Sequence, residues 1–189
     1  MATIQILNKQ TLSNNKYPLK LIKFEKPDKY GVFHNQQREV YFRPDAVGVL
    51  LADVKQKKLL LTQQFRLPAF LNGNDSGYLV ETCAGLIDEN ETPEQTARRE
   101  VEEETGYQIT NLEKIAGAYT SAGGITEYVH LFMANYDSDP NHAKTGGLEG
   151  EDIELVEISF DEAKEKLKQG EFRDLKTITL LQHFFMNRS

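Results

Sequence analysis

The chain has 189 residues, of which 39% are apolar and 27% are charged, a composition typical of a folded globular protein with a sizeable core. Its net charge of −7, with no run of basic residues, argues against nucleic acid as the main partner, because neutralising phosphates needs clustered Lys and Arg. No membrane-spanning stretch or signal-peptide pattern occurs, and the single cysteine, Cys83, excludes an internal disulfide and predicts a reducing cytoplasm.

The first 45 residues predict a small β lobe. Three short apolar stretches are typical of strands: "IQIL", "LKLIKF" and "EVYF". Pro44–Asp45 marks a joint, after which the pattern changes. We therefore expect an N-terminal β lobe over residues 1–45 and a main domain over residues 46–189.

The main domain begins with "AVGVLLAD", an almost continuous apolar run that predicts a strand buried on both faces. A second strand, "KKLLLTQQF", follows a polar turn. The cluster "NGNDSG" at 72–77 indicates another turn, and "YLVETCAG" indicates the next strand.

The clearest helix of the chain follows, over about 93–105. Thr92 is a natural N-cap, Pro93 suits the first helical position, and Gln95 completes a capping-box pattern with Thr92. Gly106 stands where a glycine cap ends a helix. These signals predict both ends of the helix.

The rest of the chain predicts further strands and helices around a long polar loop. The strands are "KIAGAYT", "EYVHLFMANY" and "IELVEISF", the loop is 137–152, and the helices are 161–169 and about 174–187. This order of strands and helices predicts a mixed α/β/α sandwich.

Acidic residues crowd into the last turns of the helix over 93–105. At about 100° per residue, Ala97 and Val101 mark the core face, and Glu104 lies only about 20° from Ala97. Glu100 and Glu103 extend the same stripe, so three carboxylates share one face.

A solvated acidic face is the ordinary explanation for a Glu-rich helix, but three features oppose it here. Like charges four residues apart repel, and carboxylates are unfavourable at a helix C-terminus. Glu104 also faces the core, where an unpaired carboxylate is costly. A divalent cation resolves all three, and an all-carboxylate set favours Mg²⁺ or Mn²⁺.

These residues resemble the Nudix box, which is Gly, five residues, Glu, seven residues, then Arg-Glu-apolar-any-Glu-Glu-any-Gly-apolar. The matching positions are Gly85, Glu91, Arg99, Glu100, Val101, Glu103, Glu104, Gly106 and Tyr107. Other segments resemble the GDP-mannose hydrolase branch of this superfamily, which is kin to the ADP-ribose pyrophosphatases. They are "REVYF", "QQFR", "NGNDSGYLVETCAGLID", "SAGGITEYVHLF", "GGLEGEDIELVEI" and "GEFRDLKT".

The resemblance implies a Nudix α/β/α sandwich whose N-terminal lobe is exchanged across a homodimer. It also implies Mg²⁺-dependent hydrolysis of a nucleotide sugar, with GDP-mannose giving GMP and mannose 1-phosphate. ADP-ribose, giving AMP and ribose 5-phosphate, stays an alternative, because Ala122 replaces the proline of relatives and "RPDAVGVL" is closer to the ADP-ribose branch. A regulator that binds a nucleotide sugar without cleaving it is a second alternative, although no box glutamate is lost.

The resemblance also implies site residues by position. The metal ligands are Glu100, Glu104, the Ala84 carbonyl and Glu151. The substrate-binding positions are Arg38, Glu39, Arg66, Ala84, Gly85, Leu86, Glu104, Glu127, Gly150 and Lys176. The catalytic positions are Glu103, whose role varies among families, and Glu127 and Glu151.

Two questions stay open at this stage. Either Glu127 or Glu151 would serve as the general base, and a metal-bound hydroxide that needs neither is the third alternative. Arg66 suits phosphate oxygens because its fork binds two at once, whereas Arg99 is expected to orient the glutamates. The ordinary alternatives are a surface salt bridge for Arg66, a solvated strand-edge acid for Glu127 and a solvated helix residue for Lys176.

Overall fold

The computed structural model describes residues 3–109, 111–139, 145–146 and 152–187. The elements in chain order are β1 (Gln5–Asn14), β2 (Pro18–Pro27), β3 (Phe33–Tyr41), β4 (Ala46–Asp53), β5 (Lys58–Phe65), α1 (Leu67–Leu71), β6 (Tyr78–Glu81), β7 (Cys83–Leu86), α2 (Pro93–Thr105), β8 (Leu112–Tyr119), β9 (Tyr128–Asn135), β10 (Thr145–Gly146), β11 (Ile153–Ser159), α3 (Phe160–Gln169) and α4 (Leu175–Met186). No helix in these described ranges is long and apolar enough to cross a membrane.

The chain divides into two compact units. The first contains the residues up to Asp45 together with Tyr119–Tyr128, and its strands β1, β2 and β3 form an antiparallel sheet. Tyr41 forms a bridge with Ile125, which joins the loop segment to this sheet. Inclusion of residues 119–128 in this unit was not predicted from the sequence.

The second unit is built on a mixed sheet of eight strands. The order along the sheet is β10-β11-β5-β4-β9-β8, with β6 paired to β5 and β7 paired to β4. Strand β4 is central: it runs parallel to β9 and antiparallel to both β5 and β7. Its eight residues are all buried, as the apolar run predicts.

Helices cover both faces of this sheet. On one face Val47, Val49 and Leu51 pack in the same cluster as Ala97 and Val101 of α2. On the other face Leu50 and Ala52 join the cluster that contains residues of α3 and α4, among them Ala163, Leu180 and Phe184. The predicted α/β/α sandwich with a small N-terminal β lobe is therefore confirmed.

The stretch predicted as one strand, "YLVETCAG", is two strands that separate at Thr82. Residues before this point pair with β5, and those after it pair with β4. The backbone N–H of Thr82 donates instead to the hydroxyl of Thr177 in α4, at 2.8 Å. The prediction of a single strand was wrong, because the Thr82 N–H binds a side chain far along the sequence in place of a neighbouring strand. The short helix α1 was also not predicted.

Candidate active site

Helix α2 carries the acidic cluster, and its own sequence defines both ends. Gln95 N donates to the Thr92 hydroxyl at 3.2 Å, and the Thr92 backbone N–H donates to the Gln95 side chain at 2.8 Å, which completes a capping box. Gly106 adopts a φ of 71°, the left-handed conformation that suits glycine at a helix end. The predicted helix over 93–105 is confirmed at both ends.

Glu104 lies on the core side of this helix, as predicted, and is only 5% exposed. Its carboxylate accepts hydrogen bonds from the Ala84 backbone N–H and from the Gln64 side-chain amide, both at 3.1 Å. Burial raises the pKa of Glu104 to about 7. The same burial, together with this carboxylate, raises the pKa of the neighbouring Cys83 thiol. Cys83 is therefore a poor nucleophile.

Glu100 lies against strand β7 because residue 85 has no side chain. A Cβ atom at Gly85 would collide with the Glu100 carboxylate. The glycine that opens the acidic motif is thus required for close approach of helix and strand. The absence of a side chain at residue 85 leaves room for the Glu100 carboxylate beside β7. Glu104 contacts the same strand through its hydrogen bond with the Ala84 N–H.

Arg99 links the acidic residues of this helix. Its Nη1 group donates to Glu100 at 2.8 Å and to Glu103 at 2.9 Å, and its Nε group donates to Glu91 at 3.0 Å. Hydrogen bonds to Glu91 and the charges of the other acids raise the pKa of Arg99. Hydrogen bonding to Arg99 in turn lowers the pKa of Glu91 to about 2. These contacts agree with the expectation that Arg99 orients the glutamates.

The donor set fits a hard divalent cation. All three side chains at the helix end supply carboxylate oxygens, and one of them, on Glu104, is buried with no cationic hydrogen-bond partner among the described residues. The described residues do not contain three acidic, His or Cys side chains already grouped around one ion position. Glu151, the fourth predicted ligand, lies outside the described residues, as does Gly150.

A second charged cluster lies on β6 and at the ends of β5 and α4. Arg66, directly after β5, forms a forked ion pair with Glu81, with an Nη2–Oε2 distance of 2.6 Å and an Nε–Oε1 distance of 3.1 Å. Although burial opposes it, hydrogen bonding to Glu81 raises the pKa of Arg66. The alternative to phosphate binding by Arg66 was a surface salt bridge. The observed ion pair is not a surface salt bridge, because the side chain of its acid, Glu81, is only 4% exposed.

Lys176 belongs to the same cluster and is not a solvated helix residue. Its ammonium donates to Asp174 at 2.6 Å and lies 4.0 Å from Glu81. Its aliphatic stem lies over Gly48 of β4, where an added Cβ would be 3.4 Å from Lys176 Cδ. Although burial opposes it, Lys176 lowers the pKa of Asp174.

The first unit holds the remaining described candidates. Glu127 is 8% exposed, accepts a hydrogen bond from the Thr120 hydroxyl at 3.0 Å and pairs with Arg43 at 3.2 Å. It is therefore not a solvated strand-edge acid. Arg38 and Glu39 are both exposed on β3.

Sequence reasoning missed Glu81 and Arg43, which contact three of the predicted residues. Glu81 had a usable signal: it is an acid in the middle of the apolar stretch "YLVETC", where an unpaired carboxylate would be costly. Arg43 had none, because its partner, Glu127, is far away in the sequence.

Fold and site together define the class of Nudix hydrolases: an α/β/α sandwich with three glutamates at the end of one helix, one of which, Glu100, lies against a glycine on a strand. Comparison with known proteins agrees, because residues 42–181 match the NUDIX domain. The chain belongs to the NUDIX family. The predicted membership and the predicted enzyme class are thereby confirmed.

Several relatives are similar along nearly their whole length. The GDP-mannose pyrophosphatase of Cronobacter sakazakii is 43% identical over 180 residues, which cover 95% of this chain and 94% of that protein. That of Pectobacterium atrosepticum is 44% identical over 180 residues, covering 95% and 93%. That of Escherichia coli O157:H7 is 41% identical over 184 residues, covering 97% and 96%.

Proposed function

We propose that this protein hydrolyses the diphosphate of a nucleotide sugar, with GDP-mannose as its substrate and GMP and mannose 1-phosphate as its products. The observation that carries the proposal is the complete acidic cluster of α2, with Glu104 buried beside Ala84 and Glu100 against Gly85. A regulator without activity would have no need to retain these costly carboxylates. The similarity to three GDP-mannose pyrophosphatases supports the choice of substrate.

Glu100, Glu104, the Ala84 carbonyl and Glu151 would hold Mg²⁺. When bound, the cation would neutralise the diphosphate and activate water for attack on phosphorus. Arg99, through its hydrogen bonds to Glu100, keeps one ligand in a fixed orientation. Mn²⁺ suits the same oxygen donors.

Arg66 and Lys176 supply the positive charge that an acidic protein needs to bind a diphosphate. In the reaction, a water oxygen forms a bond to one phosphorus while the bridging P–O bond breaks, and each product leaves as a phosphomonoester. A carboxylate removes the proton of the attacking water. Glu151 is favoured over Glu127 for this role, because the Glu127 carboxylate is already paired with Arg43 and Thr120.

The choice of base is tested by two variants measured with saturating Mg²⁺. Glu151→Gln should depress kcat more than it raises KM, because proton removal belongs to the chemical step. Glu127→Gln should keep most of kcat. The reverse pattern would assign the base to Glu127.

We also propose a cytoplasmic homodimer. The free thiol of Cys83 suits a reducing compartment, and the exposed apolar side chains of β1 suit a partner subunit. Arg38 and Glu39 would then contact a substrate held mainly by the other chain.

The proposed substrate is tested by a panel of nucleotide sugars with Mg²⁺, read by product chromatography. GDP-mannose should have the highest kcat/KM. A much higher kcat/KM for ADP-ribose would favour the ADP-ribose alternative. Omission of the divalent cation should abolish turnover of every substrate in the panel.

A further inference from the structure

Arg66 and Lys176 come from different elements but share one buried carboxylate. Oε2 of Glu81 is 2.6 Å from Arg66 Nη2 and 4.0 Å from Lys176 Nζ. The Glu81 side chain is 4% exposed, whereas the Arg66 side chain is 39% exposed. The acid is therefore inside the protein, and the guanidinium reaches the surface from it.

The ion pair fixes the plane of the guanidinium and leaves one edge of it available. Both oxygens of Glu81 accept from the Nε and Nη2 edge of Arg66. Within the described ranges, Nη1 of Arg66 has no hydrogen-bond partner. An arginine anchored in this way presents its remaining donors to an oxyanion at a set angle.

Lys176 is held from three sides. Its stem lies over Gly48, its ammonium donates to Asp174 at 2.6 Å, and a Glu81 carboxylate oxygen lies 4.0 Å from that ammonium. Asp174 is itself the N-cap of α4 and accepts from the backbone N–H of Thr177 at 2.9 Å. The ammonium therefore has little freedom to leave the neighbourhood of the guanidinium.

We propose that Glu81 is a positioning residue, which holds Arg66 and Lys176 as paired donors for one phosphate group of the substrate. This inference rests on the proposed hydrolysis of a nucleotide-sugar diphosphate. A buried ion pair usually adds little net stability, because desolvation offsets the attraction. Orientation of the two cations is therefore a better explanation of Glu81 than a purely structural role.

The test is a double-mutant cycle with Glu81→Gln and Arg66→Ala, measured by steady-state hydrolysis of GDP-mannose with Mg²⁺. Glu81→Gln should raise KM about tenfold, the scale of one charge-assisted hydrogen bond, with kcat changed less than about threefold. In the Arg66→Ala background the same change should raise KM less than about threefold, because the group that Glu81 orients is gone. Thermal unfolding of all four proteins is recorded alongside.

Glu157→Gln is the matched control. Glu157 of β11 pairs with Lys58 at the other end of β5, at 2.5 Å, so this variant also removes an ion pair of that strand. It should leave KM within about twofold of the wild type, whatever its effect on melting temperature.

The outcomes separate this inference from the proposed function. If Glu81→Gln lowers the melting temperature but keeps KM within about twofold of the wild type, Glu81 is a structural ion pair and the inference is wrong. A fall in kcat at constant KM would also overturn it. If the wild type does not hydrolyse GDP-mannose or any other nucleotide sugar, the proposed function fails as well.

Discussion

The Glu104 side chain is buried, with the residue 5% exposed, and its hydrogen-bond donors, the Ala84 N–H, the Gln64 amide and the Cys83 thiol, are all neutral. Because burial raises its pKa from 4.5 to about 7, the folded chain binds this proton more tightly than the unfolded chain does. The free energy of unfolding should therefore rise as the pH falls from about 7 to about 4.5. Glu91 and Asp53, whose pKa values are lowered to about 2, act in the opposite sense only at lower pH.

We therefore expect Glu104→Gln to stabilise the metal-free protein at pH 8 by about 2–3 kcal/mol, an order-of-magnitude figure. At pH 4 the difference should nearly vanish, because Glu104 of the wild type is then largely protonated in both the folded and the unfolded chain. Denaturant unfolding with a chelator measures both values. Glu102→Gln, on the exposed side of the same helix, is the control. An equal difference at both pH values would contradict the assigned burial penalty.

Gly85 allows Glu100 to approach strand β7. Gly85→Ala should displace the Glu100 carboxylate and cut kcat by about 100-fold or more, through loss of a correctly placed ligand. Stability should change little, because the colliding atoms are at the end of a flexible side chain. The double variant Gly85→Ala, Glu100→Gln should have almost the same turnover as Glu100→Gln alone. Additive losses in the double variant would show that Gly85 acts separately from Glu100.

At the scale of elements, the break between β6 and β7 depends on a single hydroxyl of α4. Thr177 accepts from the buried Thr82 backbone N–H at 2.8 Å and donates to Asp174 at 2.7 Å. Thr177→Val keeps the shape but leaves that N–H without a partner, so unfolding should become easier by about 1–3 kcal/mol.

Chemical denaturation measures the effect of Thr177→Val. Thr179→Val, two residues further along the same helix, removes only a hydroxyl that donates to its own helix at Leu175, and it should cost less than about 0.5 kcal/mol. If both variants lose the same free energy of unfolding, the hydrogen bond from the Thr82 N–H to Thr177 adds no stability beyond that of an ordinary helix hydroxyl.

Helices and strands were predicted well where residues close together in the sequence define both of their ends. The capping box of Thr92 and the glycine at 106 define α2, and the unbroken apolar run defines β4. The break at Thr82 was not predictable, because it needs a hydroxyl 95 residues further along the chain. For the same reason the Glu127–Arg43 ion pair could not be predicted from the sequence. The shared face of Glu100 and Glu104 could be predicted, because it depends only on their spacing along one helix.

At the scale of the whole molecule, the N-terminal lobe lacks a core of its own. Among its described apolar residues only Ile22 is buried, while Ile4, Ile6 and Leu7 are each more than half exposed. Phe33, in β3, is also exposed. Such a sheet would gain stability from a second subunit, and a two-fold dimer is the commonest closed arrangement.

We therefore expect a homodimer in which each site uses Arg38 from the partner chain. Heterodimers of an Arg38→Ala chain and a Glu100→Gln chain should regain about half of the wild-type activity, because one site carries both changes and the other carries neither. Co-expression with two affinity tags isolates this heterodimer. Each homodimeric variant serves as the inactive control. A fully active monomer in light scattering at micromolar concentration would exclude the arrangement.

We expect the protein to cleave the diphosphate of GDP-mannose by attack of water on phosphorus. Hydrolysis in ¹⁸O-labelled water with Mg²⁺, followed by mass spectrometry of the products, is the most direct test of this reaction. The products should be GMP and mannose 1-phosphate in equal amounts, with one ¹⁸O atom on the phosphate of one of them. Free mannose and GDP, or a label on the sugar carbon, would contradict it.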